Sequence, residues 1–219
     1  MSGVETESAA DGFDVEIHQV GGKHPGGKPI AIGRWTFETP VVRRVVEDAL
    51  GNEILNACAG KTKLSDAGGH VIVRNDINPE RDADHHFDVC EIDEHFDGNS
   101  FDTVVFDPPF DQGQADEHYD GMHASDIGEA RKALAKLVCP GGKLIELGWN
   151  SHSVAAWRDW TREELHIFER GPCLKPVFLT VDWNHQPPLI QTDGGRNARS
   201  LSTARSRSGE QIDSGERSR

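Results

Sequence analysis

Five short apolar runs recur through the middle of the chain, at residues 53–57, 70–74, 87–90, 103–106 and 143–147, the third weaker than the rest. Strand-length runs that alternate with longer segments point to an α/β sheet with helices on its faces, since a sheet face and a helix stripe must each find apolar cover. Pro40 suits the start of a helix over 41–50 that stops at Gly51. The clearest helix between strands spans 124–137 and closes at the Pro140-Gly141-Gly142 turn. A further helix is expected over 153–163, ahead of two last apolar runs at 165–168 and 177–181, and a Gly-punctuated region over 13–37 has room for two short strands. With 219 residues and no internal repeat, the chain suits one α/β domain rather than two.

Residues 1–12 and 186–219 are rich in Ser, Gly, Arg and acids, without apolar periodicity, so both ends are expected to be disordered around a domain at 13–185. The tail carries six arginines against four acids and has the charge to touch phosphate, although a solvated tail is the simpler reading. The net charge of −14 comes from acids spread along the body, the composition of a protein soluble in concentrated salt. In molar salt the Debye length falls to about 3 Å, so this acidity does not exclude a polyanionic partner. No apolar run has the length of a membrane span and no leader pattern opens the chain, so a cytoplasmic protein without a membrane partner is expected. Cys58, Cys90, Cys139 and Cys173 lie far apart without zinc spacing and read as reduced thiols, with no metal site.

The run at 53–57 breaks into Cys58-Ala59-Gly60-Lys61-Thr62, small residues that let backbone N–H groups approach a ligand, with a helix expected to follow. Gly60-Lys61-Thr62 imitates the end of a phosphate-binding P-loop, but the glycine required five positions earlier is Leu55. The second strand ends in Asn75-Asp76-Ile77, where an acid can accept from both ribose hydroxyls of an adenosine cofactor; an Asx turn ahead of Pro79 explains Asp76 equally well. Asp88 and Val89 lie at the third run, where an acid can accept from an adenine amino group. The strongest signal is an apolar strand running straight into Asp107-Pro108-Pro109-Phe110. Two prolines stiffen the turn and lack N–H groups, leaving carbonyls free to accept. The Asp107 carboxylate and the Pro108 carbonyl can hold both hydrogens of an exocyclic amine and turn its lone pair toward an electrophile, with Phe110 stacked on the ring.

From about Thr39 to Asn184 the chain resembles the class I, Rossmann-like S-adenosylmethionine-dependent methyltransferases that modify exocyclic or amide nitrogens, recognised by Asp, Asn or Ser before Pro-Pro-aromatic. Residues 53–64 are similar to that family's first motif, 71–79 to its second, 87–89 to its third and 107–110 to its fourth. The resemblance implies a seven-stranded sheet with helices on both faces and S-adenosylmethionine held by Asn56, Cys58, Ala59, Gly60, Asp76, Ile77, Asp88, Val89 and Asp107. It further implies that Thr39-Pro40 and the helix after them close over the cofactor's methionine end. Two positions depart from the family: Asn56 stands where an acid is usual, and Thr62 where the last glycine is usual, crowding the cofactor.

Asp107 and Phe110 favour a nucleobase over a protein glutamine. DNA adenine N6 is the acceptor expected, which requires base flipping, with a separate specificity subunit as a possible partner. The alternatives are RNA guanine N2 or adenine N6 and a catalytically silent binding subunit. Residues 111–125, with His118 and Tyr119, have the length to close over a substrate or to be plain solvated loop. The chemistry needs no metal, because a sulfonium supplies the electrophile.

Overall fold

A computed structural model describes residues 4–8, 12–20, 22–23, 29–30, 32, 35–65, 68–110, 126–171 and 174–186, with backbone alone for 4–8, 22–23 and 29–30. Its strands are β1 (Val4–Ser8), β2 (Asp14–Gln19), β3 (Gly22–Lys23), β4 (Pro29–Ile30), β5 (Glu53–Asn56), β6 (Val71–Arg74), β7 (Phe101–Phe106), β8 (Val138–Gly148), β9 (Trp160–Glu169) and β10 (Val177–Asn184). Two α-helices accompany them, α1 (Pro40–Asp48) and α2 (Ile127–Leu137).

β7 is the strand that organises the rest. Val104, Val105 and Phe106 are all fully buried, so both faces of this strand need cover. Parallel neighbours β5 and β8 flank it in a register that makes continuous rows: Leu55 beside Val104 beside Leu144, and Asn56 beside Val105 beside Ile145. The first row packs under Ala130, Leu134 and Leu137 of α2, the second under Val42 and Val46 of α1. Each such side chain contributes roughly 1.5–3 kcal/mol when fully buried. Both helices start on local capping signals. Pro40 occupies the first turn of α1, and the Asp126 carboxylate caps α2 by accepting from the Gly128 and Glu129 amides at 2.7 and 3.1 Å.

The full sheet runs β1-β2-β9-β10-β8-β7-β5-β6, parallel from β8 to β6, with β10 antiparallel between β8 and β9. Helices on both faces and this strand order make the sheet a Rossmann-like α/β sheet. The seven-stranded plan holds with two modifications. Its third strand, expected at 87–90, is reduced to a single bridge between Asn75 and His85, because the Asn75 side chain takes the Phe87 backbone groups a strand would use. Beyond β9, a hairpin of β1 and β2 extends the sheet to eight strands.

Within the stretch 1–12 expected to be disordered, residues 4–8 form β1, which pairs with β2 from Val4↔His18 to Ser8↔Asp14. Backbone pairing supplies what side-chain periodicity did not. No helix follows the first loop among the described residues. The amides of Ala59, Gly60 and Ser65 are taken by Asn75, Asp76 and Glu47, so they are not free for a helical ladder. The helix expected over 153–163 is a short 3₁₀ turn at Val154–Ala156 followed by β9, whose ladder with β10 wins over local propensity. The Pro140-Gly141-Gly142 turn lies inside β8, where a register shift against β7 absorbs it and Gly141 takes φ +80°. Residues 124–125 of the expected helix, the 111–125 loop, Cys173 and 187–219 lie outside the described residues. Among the described residues no helix is long and apolar enough to cross a membrane.

Candidate active site

β5, β6 and β7 end side by side, and the carboxyl ends of parallel strands are where an open α/β sheet presents loops to a ligand. A cleft opens there. The loop after β5 contributes Ala57 to Thr62, β6 contributes Asp76 and Ile77, and the bridge segment adds Phe87, Asp88 and Val89. β7 contributes Asp107 and Pro109, and Trp35, Thr36 and Phe37 face them from the segment before α1.

The sequence-expected residues Cys58, Ala59, Gly60, Asp76, Ile77, Asp88, Val89, Asp107 and Pro109 are therefore brought together. Others are not. Thr39 and Pro40 begin α1 just beyond the lining. Asn56 is fully buried in the layer under α1, away from the cleft wall, and neither amide atom has a hydrogen-bond partner among the described residues. Pro108 is buried, and the Phe110 ring sits 5.8 Å from Trp149 rather than in the lining. Sequence reasoning missed Trp35, Thr36, Phe37 and Asn75. The first three precede Thr39-Pro40 directly, so the signal for that wall was displaced by a few residues.

Local bonding holds the walls in place. The Gly60 amide donates to Asp76 Oδ2 at 2.8 Å while the Asn78 amide donates to Oδ1 at 3.0 Å, so Asp76 makes the Asx turn and lines the cleft at once. Asn75 Nδ2 donates to the carbonyls of Ala57 and Phe87 at 3.1 and 3.0 Å, which fastens the first loop to the bridge segment. Gly60 has φ +55°, and a Cβ there would stand 3.3 Å from the Trp35 ring. Arg81 covers the other part of that indole at 5.1 Å from its centroid.

The electrostatics favour a cation. Burial pushes the Cys58 thiol well above its usual value, and the nearby Asp76, Asp107 and Asp88 add to it, so the thiol stays protonated. Desolvation raises the Asp107 carboxyl to about 7 although a Thr36 hydrogen bond opposes it. Thr62 Oγ1 is buried in the same wall with no partner among the described residues, a polar atom that a ligand would satisfy.

No protein-family model matches the chain, and no curated protein matches it. Among solved structures it is similar to the Burkholderia thailandensis 1,6-didemethyltoxoflavin-N1-methyltransferase, solved with 1,6-didemethyltoxoflavin and S-adenosylhomocysteine. The identity is 13%, over 70% of this chain and 83% of that one, with TM-score 0.47. It is also similar to the N-methyltransferase NodS of Bradyrhizobium japonicum in complex with S-adenosylhomocysteine, at 15% identity, 69% and 92% coverage and TM-score 0.45. TrmN of Thermus thermophilus is similar at 14% identity and TM-score 0.49, and the match covers 72% of this chain and 54% of that one, about half its length. At such identities none of these assigns an activity, and the reading of the site rests on this chain's own residues.

Proposed function

We propose that the chain is an S-adenosylmethionine-dependent methyltransferase acting on the exocyclic amino group of a nucleobase, with DNA adenine N6 as the acceptor. The observation that carries this reading is that Asp107, at the head of Pro108-Pro109-Phe110, lines the same cleft as Asp76 and Asp88. In this reading Asp76 accepts from ribose hydroxyls, Asp88 accepts from an adenine amino group, and Ile77 and Val89 give the base apolar walls. Cys58, Ala59 and Gly60 line the cleft beside Thr62, and Thr62 Oγ1 gains a partner when the cleft is filled. Asn56 has no direct role in this arrangement.

When bound, S-adenosylmethionine supplies a methyl group on a sulfonium. The residues of this chain do the rest. Asp107 accepts one hydrogen of the incoming amine and the Pro108 carbonyl the other, so the nitrogen lone pair is turned out of conjugation and aimed. With its carboxyl raised to about 7, Asp107 is also matched to take the proton released from the alkylated nitrogen near neutral pH. Phe110 and Trp149 form an aromatic pair beside this loop, a surface for an extruded base.

Transfer of a radiolabelled methyl group to DNA, total RNA and protein, run in parallel in molar KCl, tests the reading. Label in DNA is expected, and Asp107→Ala should lose it while cofactor binding persists. Label in RNA would move the acceptor to guanine N2 or adenine N6 there. No label together with no cofactor binding in calorimetry would overturn the enzyme reading and leave a silent binding subunit.

A further inference from the structure

Far from the cleft, at the opposite end of the sheet order, β2 and β9 run parallel with Glu16 opposite His166. Each strand carries the same Glu-x-His triplet, Glu16-Ile17-His18 and Glu164-Leu165-His166, and the register sets these four side chains on one face. His18 and His166 are only 2% and 4% exposed, an unusual place for two imidazoles without a task. Their sequence separation of 148 hides the pattern from any reading of local spacing.

Three atoms converge. His18 Nε2 lies 3.0 Å from His166 Nδ1, and Glu16 Oε2 lies 3.5 Å from the first and 3.6 Å from the second. Ligands about 2.1 Å from a tetrahedral zinc ion stand roughly 3.4 Å apart, which is the size of this triangle. A centre about 2.1 Å from all three would lie within about 1 Å of their plane, as it does for one face of a tetrahedron. The outer nitrogen of His166 is already committed, since Nε2 bonds Glu164 Oε2 at 2.8 Å. A carboxylate on the far nitrogen fixes the tautomer that leaves Nδ1 bare for a metal. His18 stacks on the buried Phe168 ring at 4.8 Å, which holds its plane.

We propose that Glu16, His18 and His166 form a zinc site, with Glu164 orienting His166 and water in the fourth position. Without metal, His18 Nε2–H donates to His166 Nδ1; with zinc bound, that proton resides on His18 Nδ1, so the exchange needs no other reactant. The two carboxylates balance the ion's charge. The site ties β2, and through it β1, to the rest of the sheet.

Zinc alone is the probe. The full chain, stripped with a chelator and titrated with Zn²⁺ against a chromophoric competitor, should take up one tight equivalent and gain thermal stability in proportion to occupancy. Glu16 is about one-third exposed, so Glu16→Gln should fold normally and lose roughly tenfold or more in zinc affinity. Glu164→Gln should lose roughly 10–100-fold. Cobalt should give the intense visible bands of a tetrahedral site, absent in His166→Ala. Absence of tight zinc uptake overturns the proposal. So does uptake with unchanged affinity and cobalt spectrum in Glu16→Gln and His166→Ala, which would place the metal on other histidines of the eleven.

Discussion

The side-chain amide of Asn75 pairs with both backbone groups of Phe87: Nδ2 donates to the carbonyl at 3.0 Å and Oδ1 accepts from the N–H at 2.9 Å. A side chain thus stands in for the strand partner that the bridge segment lacks, and it aims Asp88 and Val89 at the cleft. Asn75→Ala leaves Phe87 and Ala57 with unmet polar groups, each costing about 1–3 kcal/mol where buried. Urea unfolding should show a loss of about 2–4 kcal/mol, and cofactor affinity should fall with it.

Turnover should depend on pH through Asp107. Its carboxylate is the form that accepts an amine hydrogen, so the rate should climb as pH rises through about 7 and then level off. A raised carboxyl in the folded state contributes stability below the ordinary value of 3.8 that is lost as pH rises through about 7. The ligand-free protein should therefore lose more thermal stability between these pH values than Asp107→Asn does. A bound sulfonium should restore it. Thermal melts across pH, with and without cofactor, check both statements.

Gly60→Ala places a methyl group in left-handed backbone and against the Trp35 ring. The backbone strain alone is about 1 kcal/mol, and the indole must shift off the wall it forms. Calorimetry should show weakened cofactor binding with a small drop in Tm, while unfolding remains a single transition.

Arg131 grips Glu146 with both nitrogens, Nε at 2.9 Å from each carboxylate oxygen and Nη2 at 2.6 Å from one, and burial holds the Glu146 carboxyl above its usual range despite that partner. Arg131→Met leaves the acid 5% exposed and unpaired, a loss of about 3–5 kcal/mol. Adding Glu146→Leu should recover most of it. Chemical denaturation of the four proteins in this cycle gives the coupling directly.

The parts legible in the sequence were those whose signal is local. The apolar run ending at Phe106 and the Asp-Pro-Pro turn located β7 and Asp107, and the helix-length segment between the fourth and fifth apolar runs located most of α2. What failed depended on partners distant in sequence. Phe87 looked like strand because a side-chain amide satisfies a backbone as well as a ladder does, and residues 160–163 looked helical because β10, the neighbour that makes them strand, comes later. Asn56 occupies the motif position expected of a ligand contact, yet the row it shares with Val105 turns it under α1. The wall at Trp35 to Phe37 had no motif, only proximity to Pro40.

The pairing of β1 on β2 has a consequence for colloidal behaviour. Without the first strand, β2 would become the rim of the sheet, with a row of unpaired amides and carbonyls beside Val15 and Ile17, the template on which strands of other molecules add. Removal of residues 1–12 should therefore leave folding largely intact in dilute solution but shift the concentrated protein toward β-rich aggregates, which light scattering against concentration would reveal.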